Sequence, residues 1–387
     1  MKRIYLDHAA TTPMKSGVLD AMLPWLADRV AANASSVHRS GQRARAAVEE
    51  AREHLAQAIH GAPGEIVFTS GATEADALGL LGPLAALERS ESPRRALVVN
   101  AAEHAAILEP AKREAHAGRH VHWLPPGREG APSAETLEAA LTAIEEPPAL
   151  VAVMHTNNET GALADVTALA EVAHDHGALF LCDAVQAFGY APLDVTTLGA
   201  DLVSLSAHKV GGPQGIGALW VRDGVPLDGL TIGGGQERGK RAGTHATASI
   251  VGFGVAAEHA AQGVASRAAR TAAVRDHLER ALLALPGVHG NATGPRGPKH
   301  LNVRIDDVEG EALLIALDDA GVEVSAGSAC SAGSVEPSHV LLAMGFDKRE
   351  ARSSLRFSVH EETSFEMIEE TVERFERVLG HLRNVQR

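Results

Sequence analysis

The chain has 387 residues, enough for one large domain with a smaller companion around a sizeable core. Apolar residues make up 45% and charged residues 22%, an ordinary globular balance, and the net charge of −14 argues against a general nucleic-acid or anionic-membrane surface. The two cysteines, Cys182 and Cys330, exclude a disulfide framework and fit a reducing cytoplasm. The N-terminal MKRIYLDHAATTP lacks the apolar run of a signal peptide, and no stretch approaches the length of a membrane span.

In chain order, Ile4 to Leu6 reads as a short strand and Asp7 to Pro13 as a turn-rich connection. Helical signals run from Ser16 to Leu26, and a polar loop follows at Asn33 to His38. A long helix is expected from Gln42 to Ile59, with Ala46, Val48, Ala51, Leu55 and Ile59 on one face. The strand Glu65 to Phe68 enters Thr69-Ser70-Gly71-Ala72-Thr73-Glu74, where a helix starts. A strand, a small-residue turn and a helix N-terminus make a ready anion site, although an ordinary Ser/Thr cap explains the same residues.

Further strands are predicted at Ala96 to Val99, Ala149 to Met154, Ala178 to Cys182 and Asp201 to Ser206, with a βα unit over about Val121 to Leu141 and a helix at Asp165 to His176. The alternation implies an α/β architecture, a mostly parallel sheet covered by helices. In such sheets ligands bind at the carboxyl ends of strands. Ser70/Thr73, His104, Asn158, Asp183/Gln186 and Ser206/His208/Lys209 all stand at predicted strand ends. After a glycine- and arginine-rich stretch, GLTIGGGQERGKRAGTHATA, helices are expected at Ala242 to Ala257 and Ala269 to Leu285. Strands at Leu301 to Ile305, Val322 to Val324 and Leu355 to Val359, with helices at Glu309 to Ala320 and Ser364 to Leu379, then read as a small α+β domain. Residues 16–258 form the expected large domain; 1–15 and 259–387 form the small one.

Common motifs fail in informative ways. GGQERGKR misses the phosphate-loop pattern because Arg241 stands where a Ser or Thr must hold the metal. His360-Glu361-Glu362-Thr363-Ser364 misses the zinc-helix pattern at Ser364. No metal site is expected. Lys209 is different: it closes a buried strand beside Ser206 and His208 and is followed by Gly215 and Gly217. A surface lysine in a hairpin would explain it, but so would a desolvated amine that attacks an aldehyde.

A pyridoxal phosphate site needs a lysine, a carboxylate at the pyridinium nitrogen, donors for the phosphate, a flat group on the ring and an arginine for a substrate carboxylate. Lys209, Asp183, Ala72/Thr73 with Ser206 and His208, His104, and Arg356 supply these parts.

The stretches YLDHAATTP, IVFTSGATEAD, EHAAIL, MHTNNETG, CDAVQAFG, SLSAHKVGGPQGIGAL, GGGQERGKRAGT, SAGSACSAGSVEPSHVLLAMG and SSLRFS carry a resemblance over nearly the whole chain. The sequence resembles the pyridoxal-phosphate-dependent cysteine desulfurases of the iron–sulfur-cluster and nitrogen-fixation type. The resemblance implies the fold of type I pyridoxal phosphate transferases and conversion of L-cysteine to L-alanine with a persulfide on Cys330. It gives Lys209 the cofactor, Asp183 its ring nitrogen, His104 the ring face and a proton-transfer role, and Gln186 and Asn158 the phenolic oxygen side. Ala72, Thr73, Ser206 and His208 hold the phosphate, with Thr244 from the partner of a homodimer. Asn158, Arg356 and Asn33 face the substrate. The implied partner is a protein sulfur acceptor, such as a cluster scaffold or sulfur carrier, in the cytoplasm. Asn33-Ala34 departs from the Asn-Pro usual in the family. A selenocysteine lyase or an aminotransferase of the same fold is the alternative; Cys330 in its small-residue loop speaks against an aminotransferase. A non-catalytic protein that keeps the fold is opposed by Lys209, Asp183 and Cys330 together.

Overall fold

The computed structural model describes residues 3–27, 32–326 and 336–385. The first part of the chain builds β1 (Ile4–Tyr5), α1 (Ser16–Ala27), α2 (Arg39–Ala58), β2 (Ile66–Thr69), α3 (Ala72–Arg89), β3 (Ala96–Asn100), α4 (Ala105–His116) and β4 (Val121–Leu124). There follow α5 (Ala134–Ala143), β5 (Pro148–Ala152), α6 (Val166–Asp175), β6 (Leu179–Asp183), β7 (Leu202–Ser206), β8 (Gly217–Val221) and α7 (Thr247–Ala261). The remainder gives α8 (Val264–Leu283), β9 (Val288–Gly290), β10 (His300–Ile305), α9 (Gly310–Asp319), β11 (Val322–Glu323), α10 (His339–Ala343), α11 (Lys348–Arg352), β12 (Ser354–Ser358) and α12 (Phe365–Val385).

Seven strands form the main sheet in the order β2-β8-β7-β6-β5-β3-β4. Six of them run in the same direction, and β8 lies antiparallel to both neighbours. Buried parallel strands need apolar residues on both faces. Accordingly β3, β5 and β7 are buried throughout. One apolar core lies between this sheet and α2 and α7; the other lies under α3 and α4. A second, three-stranded antiparallel sheet, β12-β10-β9, packs with α8, α9 and α12 around its own core. The N-terminal β1 belongs with that core: it pairs in parallel with β11, and Ile4 and Leu6 are buried there.

Helix α8 starts at Val264 rather than Ala269 and α12 runs to Val385 rather than Leu379, and α2 and α7 depart from expectation in their burial and start. In α2 the buried face carries Ala44, Val48, Ala51 and Leu55, while Ala46 is exposed. The face also includes Arg52, a residue that a purely apolar pattern cannot place. The helix expected from Ala242 begins at Thr247 instead. Gly243 sits at φ 119°, and its N–H is taken by the Gln236 side chain at 3.1 Å. The backbone there is committed to a turn, so the helix cannot start earlier.

Candidate active site

The parallel strands end on one side of the main sheet, and a cavity of about 820 Å³ opens there, against the second sheet. Each wall comes from a strand end or a helix start. At the floor, β6 ends in Asp183, 7% exposed, whose Oδ1 accepts from the Val185 N–H at 2.8 Å. Burial pushes this carboxyl up; the Val185 N–H, His104 and Lys209 pull it back toward the ionised form. Asp76 and Glu103 are buried beside it and are also pushed up, first by burial and then by the Asp183 charge.

Lys209 closes a short 3₁₀ turn after β7, and its Nζ donates to the carbonyls of Ala9 and Ala10 at 2.6 and 2.7 Å. Gln186 Nε2 donates to the same Ala9 carbonyl at 3.0 Å. His104 caps α4, accepting from the Ala106 N–H at its Nδ1, 3.1 Å away. That bond leaves the proton of the neutral ring on Nε2, and burial lowers the pKa and keeps the ring neutral.

At the other end, Ala72 and Thr73 open α3, where first-turn N–H groups have no partner within the helix. Gly217 on β8 lets this turn come close, because a Cβ there would lie 2.5 Å from the Gly71 carbonyl carbon and 2.8 Å from the Ala72 nitrogen. Ser206 and His208 line the same end, with His208 Nδ1 3.1 Å from Thr11 Oγ1. Burial first, then Lys209, lowers His208 to about 4, so it is neutral. From β12, Arg356 reaches in, 4% exposed. It donates to Asp7 Oδ1 at 2.6 Å and to the Asn158 carbonyl at 3.0 Å.

The cavity fits pyridoxal phosphate. Asn158 Oδ1 and Gln186 Oε1 are buried along it with no hydrogen-bond partner among the described residues, and buried acceptors of that kind call for a polar ligand. A carboxylate floor, an amine at the wall and a helix start with a hydroxyl and an imidazole suit the ring nitrogen, the aldehyde and the phosphate of the cofactor.

Of the expected residues, Ala72, Thr73, His104, Asn158, Asp183, Gln186, Ser206, His208, Lys209 and Arg356 all line this one cavity. Asn33 and Thr244 do not reach the cavity of their own chain. Both are exposed, and the Asn33 side chain accepts from the Ser35 N–H at 2.9 Å instead. Cys330 lies outside the described residues. Cys182 is fully buried in β6. Reading from strand ends overlooked the N-terminal segment. Asp7 to Thr11, read as a connection, supplies the carbonyls for Lys209 and Gln186, the counter-charge for Arg356 and the hydroxyl for His208. The only signal for it was the presence of YLDHAATTP among the stretches that carry the resemblance.

The chain is similar to known proteins along nearly its whole length. The family model described as aminotransferase class-V matches residues 4–371. The chain is 40% identical to the cysteine desulfurase IscS of Dictyoglomus turgidum, covering 100% of this chain and 97% of the relative. It is 43% identical to the IscS-like cysteine desulfurase of Mycobacterium tuberculosis, over 92% of this chain and 91% of that one. Among solved structures, a NifS-like protein superposes with a TM-score of 0.90 at 32% identity, covering 98% of this chain and 100% of that one. SspA in complex with cysteine gives a TM-score of 0.79 at 34% identity, over 93% and 99%. The chain therefore belongs to the class-V aminotransferase family, and within it to the pyridoxal-phosphate-dependent cysteine desulfurases.

Proposed function

We propose that this enzyme removes sulfur from L-cysteine, releases L-alanine and holds the sulfur as a persulfide on Cys330 for delivery to a protein acceptor, such as a cluster scaffold or sulfur carrier, in the cytoplasm. The observation that carries the reading is the convergence of Lys209, Asp183, His104 and Arg356 on one cavity. Lys209 would hold the cofactor covalently, with Asp183 at the ring nitrogen and His104 against the ring. Gln186 and Asn158 would meet the phenolic oxygen, and Ala72, Thr73, Ser206 and His208 the phosphate. When bound, pyridoxal phosphate supplies an electron-withdrawing ring that acidifies the substrate Cα–H.

The protein's own groups do the rest. Arg356 and Asn158 hold the substrate carboxylate and so aim the Cα–H at Lys209. Lys209 takes that proton, and the carbonyls of Ala9 and Ala10 receive the resulting ammonium. His104, protonated at Nε2, stands by for proton transfer at the sulfur or at Cβ. The Cys330 thiolate attacks the substrate sulfur; the new S–S bond forms as the Cβ–S bond breaks, and protonation of the carbon skeleton completes L-alanine.

Two further assignments belong to this reading. Residues 16–258 act as the cofactor-binding domain, with 1–15 and 259–387 as the smaller one. The enzyme works as a homodimer in which Thr244 completes the partner's phosphate site. Thr244 is exposed and away from its own cavity, and α1 and the glycine-rich stretch expose Leu19, Leu23, Leu26, Leu230 and Ile232, the last at 93%.

The test is direct. With L-cysteine and a thiol reductant, the holoenzyme should release alanine and sulfide in equal amounts. Lys209→Ala should lose the borohydride-reducible cofactor link and all turnover. Cys330→Ser should still change the cofactor spectrum on adding cysteine, yet carry no persulfide. Sulfide release at the normal rate from Cys330→Ser would refute the persulfide route.

A further inference from the structure

The Arg356 guanidinium is buried, and a buried cation needs a counter-charge. Two acids lie near it. Glu159 is engaged with the Ser338 hydroxyl at 2.5 Å, and burial favours its neutral form. Asp7 is in direct contact at 2.6 Å, with its side chain 19% exposed. Asp7 is itself well fixed: its backbone bridges to Ser358, two residues along β12 from Arg356, and its carbonyl accepts from the Tyr5 hydroxyl at 3.0 Å. Arg356 thus has one terminal nitrogen on Asp7 and the other on the Asn158 carbonyl, while its Nε is buried without a partner among the described residues.

We propose that Asp7 is a positioning and specificity-determining residue that orients Arg356 and holds down its affinity for carboxylates, so that product leaves readily. The inference rests on the reading that Arg356 receives the substrate carboxylate. A substrate carboxylate arriving on Arg356 meets a guanidinium already paired with a carboxylate. At short range the two like charges oppose each other. Asp7 therefore contributes two separable things: an acceptor oxygen that fixes the fork, and a negative charge that weakens the grip.

Substitution separates them. In Asp7→Asn the acceptor oxygen remains and the charge is gone; in Asp7→Ala both are gone. Binding of L-alanine to each holoenzyme is measured by calorimetry and by the change in cofactor absorbance, with ethylamine, the same amine without the carboxylate, as the control. Asp7→Asn should bind L-alanine about fivefold more tightly, with a lower KM for L-cysteine and ethylamine binding unchanged. Asp7→Ala should bind L-alanine more weakly than Asp7→Asn. Unchanged or weaker alanine binding in Asp7→Asn, or an equal change for ethylamine, overturns the role of Asp7. Arg356→Gln tests the underlying reading on its own. If alanine binding survives it, Arg356 does not hold the carboxylate and that reading falls; if binding is lost, the Asp7 outcome stands by itself.

Discussion

At the scale of single residues, the chemistry depends on which charges burial permits. Asp183 is buried with two other acids, Asp76 and Glu103, so its ionisation is held by few groups: the Val185 N–H, His104 and Lys209. A ring nitrogen placed against it would add the strongest one. Asp183→Asn keeps the shape, removes the charge and leaves Lys209 in place. It should retain the covalent cofactor link but lower kcat on the order of 10²-fold or more, as lost electrostatic stabilisation in a dry site does. Single-turnover absorbance, read beside cofactor content, checks this; full activity would show that the ring nitrogen needs no counter-charge.

At the scale of elements, the glycine-rich stretch gains a purpose that its motif did not suggest. It folds into a 3₁₀ turn, Gln236–Gly239, that plants Glu237 beneath α2 and β2. Arg52 meets Glu237 with both terminal nitrogens, at 2.7 and 2.8 Å, and the Phe68 N–H and His245 bond the same carboxylate. Burial opposes the charge on Glu237, but Arg52 and His245 outweigh it and bring its pKa down to about 2. Glu237 and Arg238 lie in the left-handed region, at φ 46° and 57°, a cost the buried contacts must offset. Glu237→Gln takes away the buried partner of Arg52 and leaves it the half-exposed Glu49 carboxylate at 3.1 Å, and should cost about 1–3 kcal/mol. The double variant Arg52→Met/Glu237→Leu should recover most of that loss. Urea unfolding of the three proteins decides; additive losses would mean that the pair does not act as a unit.

For the whole molecule, the seam between the two sheets is lined with bases that fold in neutral form. His8 stacks on His360, ring centroids 4.8 Å apart. Burial lowers them to about 3 and about 4; His360 and then Lys299 add to the lowering at His8, while at His360 the Glu361 carboxylate opposes it and Lys15, Lys299 and Arg267 add to it. Such a base is neutral in the fold but takes a proton in the unfolded chain below pH 6.5. Its contribution is therefore present above 6.5 and is lost as pH falls toward the folded value. The buried acids Asp76, Glu103, Glu159 and Asp183 are shifted the other way and favour the fold as pH falls, so the wild-type profile mixes both signs. A paired comparison isolates the base. His8→Phe keeps the stacking surface without the titration. Relative to it, the wild type should lose up to about 1.4 kcal/mol per pH unit between pH 6.5 and about 4, and nothing between pH 7 and 8. A gap independent of pH would mean that His8 is not held neutral. The proposed dimer is tested at the same scale. Sedimentation should show two copies at micromolar concentration, and Thr244→Ala should weaken cofactor binding; a fully active monomer would rule the arrangement out.

Local patterns by themselves determined the βα alternation, the mostly parallel sheet and the strand-end positions of Asp183, Ser206 and Lys209. Each follows from near neighbours in the chain: apolar runs, small-residue turns and polar strand ends. They also marked Arg356 as a candidate for the carboxylate, although it lies 147 residues beyond Lys209. What they could not supply was pairing across long separations. Asp7 and Arg356 are 349 residues apart, Ala9 and Lys209 are 200 apart, and Arg52 and Glu237 are 185 apart. A polar residue in an amphipathic helix or a turn reads as solvent-facing until its partner is known, which is why Arg52 and Asp7 looked ordinary. Only the tertiary structure decided those partners, because burying a charge is tolerable where the opposite charge or a carbonyl arrives from another part of the chain, and no local pattern records that arrival.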